Sequence, residues 1–279
     1  MRNIPADSLR DAVRRLCLEA GRSPDPNLLP LLEKAVAREQ SAFGQETLGQ
    51  LIENIHAAKA QGLPLCQDTG MAVVFIDIGQ DAHIVGGSLA EAVHEGVRQG
   101  YKEGYFRASV VSPLSRENTR DNTPAILYTT LTPGDQIRIT VAPKGFGSEN
   151  MSRILMLPPS AGEEGMLQGV VNTVSAAGAN PCPPVVLGVG VGGTFEYAAL
   201  MAKRALLRPL GQPSPDPVLA KHETTLLERI NRLGIGPMGL GGDTTALAVH
   251  ILAHETHIAG LPVAVNMQCH AVRHAECTL

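Results

Sequence analysis

The chain reads as an α+β protein in which N-terminal helices precede mixed strands and helices packed around one core. Apolar residues recur at helical spacing through roughly the first 62 positions. Short apolar runs rich in Val and Ile then follow at Met71–Ile78, Val185–Val191 and Leu261–Met267, the signature of buried strands. A Pro-Gly turn between two further strand-like runs adds a hairpin signal.

In chain order, Leu9, Val13, Leu16, Cys17 and Ala20 share one face of a helix that stops at Gly21, which assigns Cys17 to the core. A second helix is expected from Leu28 to Glu39, after Pro24 and Pro26. A third carries Leu48, Leu51, Ile52 and Ile55 and ends at Gly62. Met71–Ile78, closed by Gly79, is a buried strand. Ser88 and Glu91 form a capping-box pattern for a helix reaching about Gln99. Ala125–Thr130 and Gln136–Ala142 read as a hairpin around Thr132-Pro133-Gly134-Asp135. Glu163–Ala177 is a helix stopped by Gly178, and Val185–Val191 a strand leading into a helix over Phe195–Leu207. Pro217–Leu233 is a further helix, and Thr244–Leu252 and Leu261–Met267 are strands. No composition shift or internal repeat marks a boundary, so residues 1–279 read as a single domain with a helical portion at about 1–62.

A net charge of −4 and the absence of any Lys/Arg run argue against nucleic acid as a partner. No stretch approaches the roughly 18 apolar residues of a membrane span. Met1–Ala12 is charged where a signal peptide would be apolar, so a cytoplasmic location is expected. The five cysteines are an odd number without a CxxC pair, which speaks against a disulfide framework, a zinc ribbon or a ferredoxin-type site.

Three of those cysteines occupy constrained places. Cys66-Gln67-Asp68-Thr69 lies on a loop entering the Met71 strand, where polar groups need partners; a bound ligand or a self-satisfied turn would both serve. Cys182 stands among Pro181, Pro183 and Pro184, which predicts a stiff, extended segment. Cys269 ends the Leu261 strand, while Cys277 has no evident role. The loop Pro143–Asn150 contains Gly145 and Gly147, whose amides can approach a ligand, though a surface turn explains it equally. Gly188–Gly193 contains GxGxxG, but a proline-rich link, Arg208–Pro215, stands where a dinucleotide site wants an acidic residue. His254, His257 and His270 match no compact metal-ligand spacing. Three separated thiolates can hold a cubane iron–sulfur cluster with one open iron, a zinc with a water, or no metal, and spacing alone does not choose.

The segments CQDTG at 66–70, KGFGSEN at 144–150, CPPVVLGVGVGGTFE at 182–196, GLGGDTTAL at 239–247 and HIAGLPVAVNMQCHA at 257–271 resemble the cluster-binding half of class I fumarate hydratases, a pattern shared by L-tartrate dehydratase alpha subunits. The resemblance covers nearly the whole chain in order. It implies a [4Fe-4S] cluster on Cys66, Cys182 and Cys269 whose fourth iron binds substrate as a Lewis acid. Also implied are substrate contacts from Gln67, Asp68, Arg107 and a backbone group of Gly145 or Gly147, with His257 in the catalytic pocket near Asp68. The implied reaction is the reversible hydration of fumarate to (S)-malate, a step of the tricarboxylic acid cycle, with tartrate or another dicarboxylate as alternative substrate. The family's remaining carboxylate-binding residues lie in a second half, so a β subunit, in an α2β2 assembly, is the implied partner.

Overall fold

In the computed structural model, which describes residues 1–279, the chain begins with β1 (Arg2–Pro5), α1 (Ala6–Arg22), α2 (Leu28–Arg38) and α3 (Ala42–Gln61). It continues through β2 (Met71–Gly79), β3 (Ala82–Val85), α4 (Leu89–Glu103), β4 (Ile126–Thr132), β5 (Ile137–Lys144), α5 (Phe146–Glu149) and β6 (Arg153–Leu157). The last part holds α6 (Gly162–Ala177), β7 (Val185–Gly193), α7 (Phe195–Ala205), α8 (Pro217–Asn231), β8 (Ala246–Thr256), β9 (Leu261–Gln268) and β10 (Ala275–Thr278). The α+β class expected from the sequence is the class observed. No helix is long and apolar enough to cross a membrane.

Contacts gather the chain into two units, one of residues 1–24, 56–146 and 273–279, the other of residues 25–55 and 147–272, the division falling inside α3. In the first unit the sheet order is β10-β5-β2-β4, beside a separate parallel pair of β1 and β3. Leu9, Val13, Leu16 and Cys17 of α1 and Val93, Val97 and Tyr101 of α4 pack with Val74, Ile76, Ile137 and Ile139 of the sheet. Cys17 is thus a core residue, as its helical spacing predicted, and burial pushes its thiol up to about 12.

The expected hairpin does not form: β4 and β5 flank β2, parallel on one side and antiparallel on the other. The physical reason is burial. Five successive residues of β2, Ala72–Ile76, are buried, and such a strand belongs inside a sheet, whereas β4 is half exposed and takes the edge. The Pro-Gly turn spans the end of β2, accepting at Thr132 O from Gln80 N and at Gly134 O from Asp81 N. A gap of two strand spacings, about 9.5 Å, is easily crossed by that many residues. Ser88 does occupy the position before α4, but its side chain makes no capping hydrogen bond, so the capping box is a sequence pattern only.

In the second unit the order is β6-β9-β7-β8. Alternation along β7 gives its two faces different neighbours. Val185, Leu187 and Val189 pack with Val170 and Val174 of α6 and Leu226 and Ile230 of α8. The other face meets α7 through small residues, and there the GxGxxG pattern finds its use. A Cβ on Gly188 would lie 2.0 Å from Ala202 O, and one on Gly190 would lie 2.0 Å from Ala198 O. Glycine lets the α7 backbone rest directly on the strand. The pattern lies within β7 itself rather than in a loop between strand and helix.

Candidate active site

The first cysteine loop is placed by the antiparallel pairing of β2 with β5. Met71 pairs with Lys144, so the residues entering β2 meet those leaving β5. Asp68 is fixed by this meeting: its Oδ1 accepts from Gly70 N at 3.0 Å and its Oδ2 from Phe146 N at 2.9 Å. Gly145 stands so close that a Cβ there would lie 3.1 Å from Asp68 Oδ2. Thr69 Oγ1 accepts from Arg107 N at 3.0 Å, which ties the exposed Arg107 to the same loop. Cys66 and Asp68 are half-buried and Gln67 is exposed. The structure therefore gathers Asp68, Gly145 and the Arg107 backbone around the Cys66 loop.

Two groups that sequence reasoning missed hold this loop from behind. Tyr101, fully buried on α4, donates its hydroxyl to Gly70 O at 3.1 Å. Burial pushes that hydroxyl's acidity far below normal. Arg273, only 5% exposed, donates through Nη2 to Asp68 O. Its Nε and Nη1 are buried without any hydrogen-bond partner. Lys144 is buried as well and donates to Gly145 O at 3.1 Å.

In the second unit the same logic brings two cysteines together. Antiparallel pairing of Val186 with Gln268 puts the residues before β7 and those after β9 at one end of the sheet. Cys182 and Cys269 lie at that end, and His270 Nδ1 is 3.1 Å from Cys182 O. Cys182 corrects the sequence expectation, because its φ of +55° is left-handed rather than extended. The prolines do not stretch the segment; Cys182 N donates to Ala179 O and closes a turn directly after α6. The glycine-rich segment 234–242 braces it, Met238 N donating to Pro183 O at 2.8 Å.

That brace is held by an internal anion. Glu39, 2% exposed, accepts from Asp243 N at 2.8 and 3.0 Å, Thr244 N at 2.9 Å and Ser41 N at 3.2 Å. A Cβ on Gly242 would lie 2.6 Å from its Oε1. Burial alone would push the Glu39 carboxyl up, but these backbone donors and the Thr244 hydroxyl outweigh it and hold the group below its ordinary range. Glu149 of the KGFGSEN segment is anchored in the same unit, by Lys203 Nζ and by Asn266 Nδ2 at 2.8 Å.

His257 stands elsewhere. It follows β8, whose Thr256 pairs with Gly193 at the far end of β7, roughly seven residues or 23 Å along the strand from the cysteine end. His257 is exposed, and its Nδ1 accepts from Ala259 N at 3.1 Å. His254 Nδ1 is 2.8 Å from Glu255 O. Gly147, exposed, begins the second unit's part of the KGFGSEN segment.

The donor set suits a thiolate-bound cluster. Cys66, Cys182 and Cys269 are half-buried at junctions of loop and strand, and none forms a disulfide. Behind the first of them lies a buried guanidinium with no carboxylate partner, a setting that favours anions. Nowhere do three His, Cys, Asp or Glu side chains gather closely enough to hold a single metal ion.

Comparison with known proteins identifies the family. The family model described as fumarate hydratase (Fumerase) matches residues 10–278. A provisionally named L(+)-tartrate dehydratase subunit alpha of Methanocaldococcus jannaschii is 43% identical, covering 96% of both chains. L(+)-tartrate dehydratase subunit alpha of Escherichia coli is 33% identical over 92% of this chain and 88% of its own, and that of Shigella sonnei is 32% identical over the same shares. The chain belongs to the fumarate hydratase family of hydro-lyases.

Proposed function

We propose that this chain is the alpha subunit of an iron–sulfur hydro-lyase that interconverts fumarate and (S)-malate and works with a β subunit. The observation that carries the reading is the placement of the CQDTG loop, with Asp68 fixed against Gly70 and Phe146 only two residues from Cys66. The pairing of Cys182 with Cys269 at one sheet end supports it. Cys66, Cys182 and Cys269 would hold the [4Fe-4S] cluster, which when bound supplies a Lewis acid for the substrate's hydroxyl and carboxylate oxygens.

The remaining work falls to the chain's own groups. Arg107 grips one carboxylate through two parallel hydrogen bonds. The Gln67 amide and a backbone group of Gly145 or Gly147 orient the rest. Each Asp68 oxygen already accepts one N–H, which fixes the carboxylate plane and leaves a lone pair on each to exchange a proton with the substrate hydroxyl. The proton on the neighbouring carbon, and the second carboxylate, are left to residues of the β subunit. His257, which the family resemblance adds to the catalytic pocket, stands within the second unit at the far end of the sheet from Cys182 and Cys269.

L(+)-tartrate is the second substrate reading, favoured by the names of the relatives at 32–43% identity. The test is anaerobic co-production with the β subunit, iron and sulfide analysis, and turnover of fumarate, malate and both tartrate enantiomers. A cluster-bearing complex that hydrates fumarate faster than it dehydrates any tartrate supports the leading reading. Dehydration of L(+)-tartrate alone moves the assignment to the second, and a colourless chain that turns over neither ends both. Serine at Cys66, Cys182 or Cys269 should abolish iron binding, whereas serine at Cys17 or Cys277 should not.

A further inference from the structure

Arg273 is a buried charge whose guanidinium is left largely unpartnered. It lies four residues beyond Cys269 and is 5% exposed. Its only side-chain hydrogen bond runs to the main-chain oxygen of Asp68, two residues beyond Cys66, and Nε and Nη1 have no partner. No carboxylate forms an ion pair with it. By contrast, Arg208 faces Glu223 at 2.7 Å and Arg98 faces Asp121 at 2.9 Å. A guanidinium cannot escape burial by losing its proton, so an unpaired one is strongly unfavourable unless the site it faces becomes negative. Three thiolates around a [4Fe-4S]²⁺ core leave one net negative charge, and a dicarboxylate adds two.

We propose that Arg273 is a positioning residue of the active site: it holds the Asp68 main chain in place and supplies the fixed positive charge that balances the loaded site. This rests on the iron–sulfur reading above. Nε and Nη1 are shielded from solvent, so Arg273 acts through the Cys66–Gly70 loop and through its field, without touching substrate. Tyr101 shares the first task at Gly70 O but brings no charge, which separates the two contributions.

The experiment compares wild type, Arg273→Met and Arg273→Lys, each as the anaerobic complex with the β subunit. The readouts are iron and sulfide content, the cluster's midpoint potential, and kcat and KM for fumarate and malate. Loss of a nearby positive charge makes added electrons less welcome, so Arg273→Met should shift the potential negative. Its kcat should fall at least about tenfold with KM changed less than about threefold, because Asp68 is misplaced while the substrate-binding groups remain. Arg273→Lys keeps the charge but loses the rigid fork, so its potential should stay near wild type while kcat is only partly restored. Wild-type potential and kcat in Arg273→Met would overturn the proposal. If Arg273→Met fails to fold, Arg273→Lys decides alone, and a negative potential shift in it overturns the charge-balancing role. A wild-type complex lacking both cluster and hydro-lyase turnover would instead overturn the functional reading beneath it.

Discussion

Glu39→Gln isolates one carboxylate on which the brace behind Cys182 depends. In the native chain its two oxygens accept from the main-chain N–H groups of Ser41, Asp243 and Thr244, all within 3.2 Å, in a setting only 2% exposed. Glutamine keeps the shape but replaces one acceptor oxygen by an NH2 that points donor against donor. Hydrogen bonds to a charged group are worth about 1.5–3 kcal/mol each, and a buried donor left unsatisfied costs about 1–3 kcal/mol. Loss of one bond and stranding of one N–H therefore predict a destabilisation of about 3 kcal/mol. Urea denaturation of wild type and variant at neutral pH measures it. The sign of the pH dependence follows from the carboxyl being held below its ordinary range in the folded chain. Its stabilisation is fully present above the unfolded glutamate value of about 4.3 and is lost as pH falls through the lower folded value. The gap between wild type and Glu39→Gln should be largest near pH 7 and shrink below about pH 4. A gap under about 1 kcal/mol at pH 7, or one unchanged into acid, would refute the reasoning.

Gly190→Ala places a Cβ against main-chain atoms of α7, 2.0 Å from Ala198 O, and should cost about 1–3 kcal/mol or more by thermal denaturation. Gly49→Ala in α3 meets nothing within 4 Å and should instead stabilise by about 0.5–1 kcal/mol. Burial raises Cys17 to about 12, so a thiol-specific reagent at pH 8 should leave it unmodified in the native chain and react with it in urea. Asp68→Asn removes the proton acceptor while keeping the backbone contacts to Gly70 and Phe146 partly intact. It should retain the cluster and lower kcat about 100-fold in the complex with the β subunit.

Much of the fold was legible because burial writes a local pattern. The core stripe of α1 is visible in Leu9, Val13, Leu16 and Cys17, and the interior strand β2 in an unbroken apolar run. What was not legible is non-local. The turn at Thr132–Asp135 is real, yet nothing within it records that β2 lies between the strands it joins. Likewise β10 is four residues long and owes its place to its partner β5. The site divides the same way. Cys66, Cys182, Cys269 and Asp68 stood out through their settings and their family resemblance. Arg273 and Glu39 carry no sequence signal at all, because their importance lies in what they do or do not face across the fold.

The glycine-rich segments show why residue type alone cannot identify a ligand site. Glycine permits close approach, but sequence does not say what approaches. At Gly188 and Gly190 it is the backbone of α7, so that segment's permissive geometry is already occupied by the chain's own packing. At Gly242 it is the Glu39 carboxylate, a resident anion in a nest that would otherwise suit a ligand anion. At Gly145 it is Asp68, a half-buried carboxylate with acceptor capacity left on both oxygens. Only in that last case does the approaching group remain able to act on something else, which is why the CQDTG loop and the end of β5, rather than the more conspicuous GxGxxG, carry the functional argument.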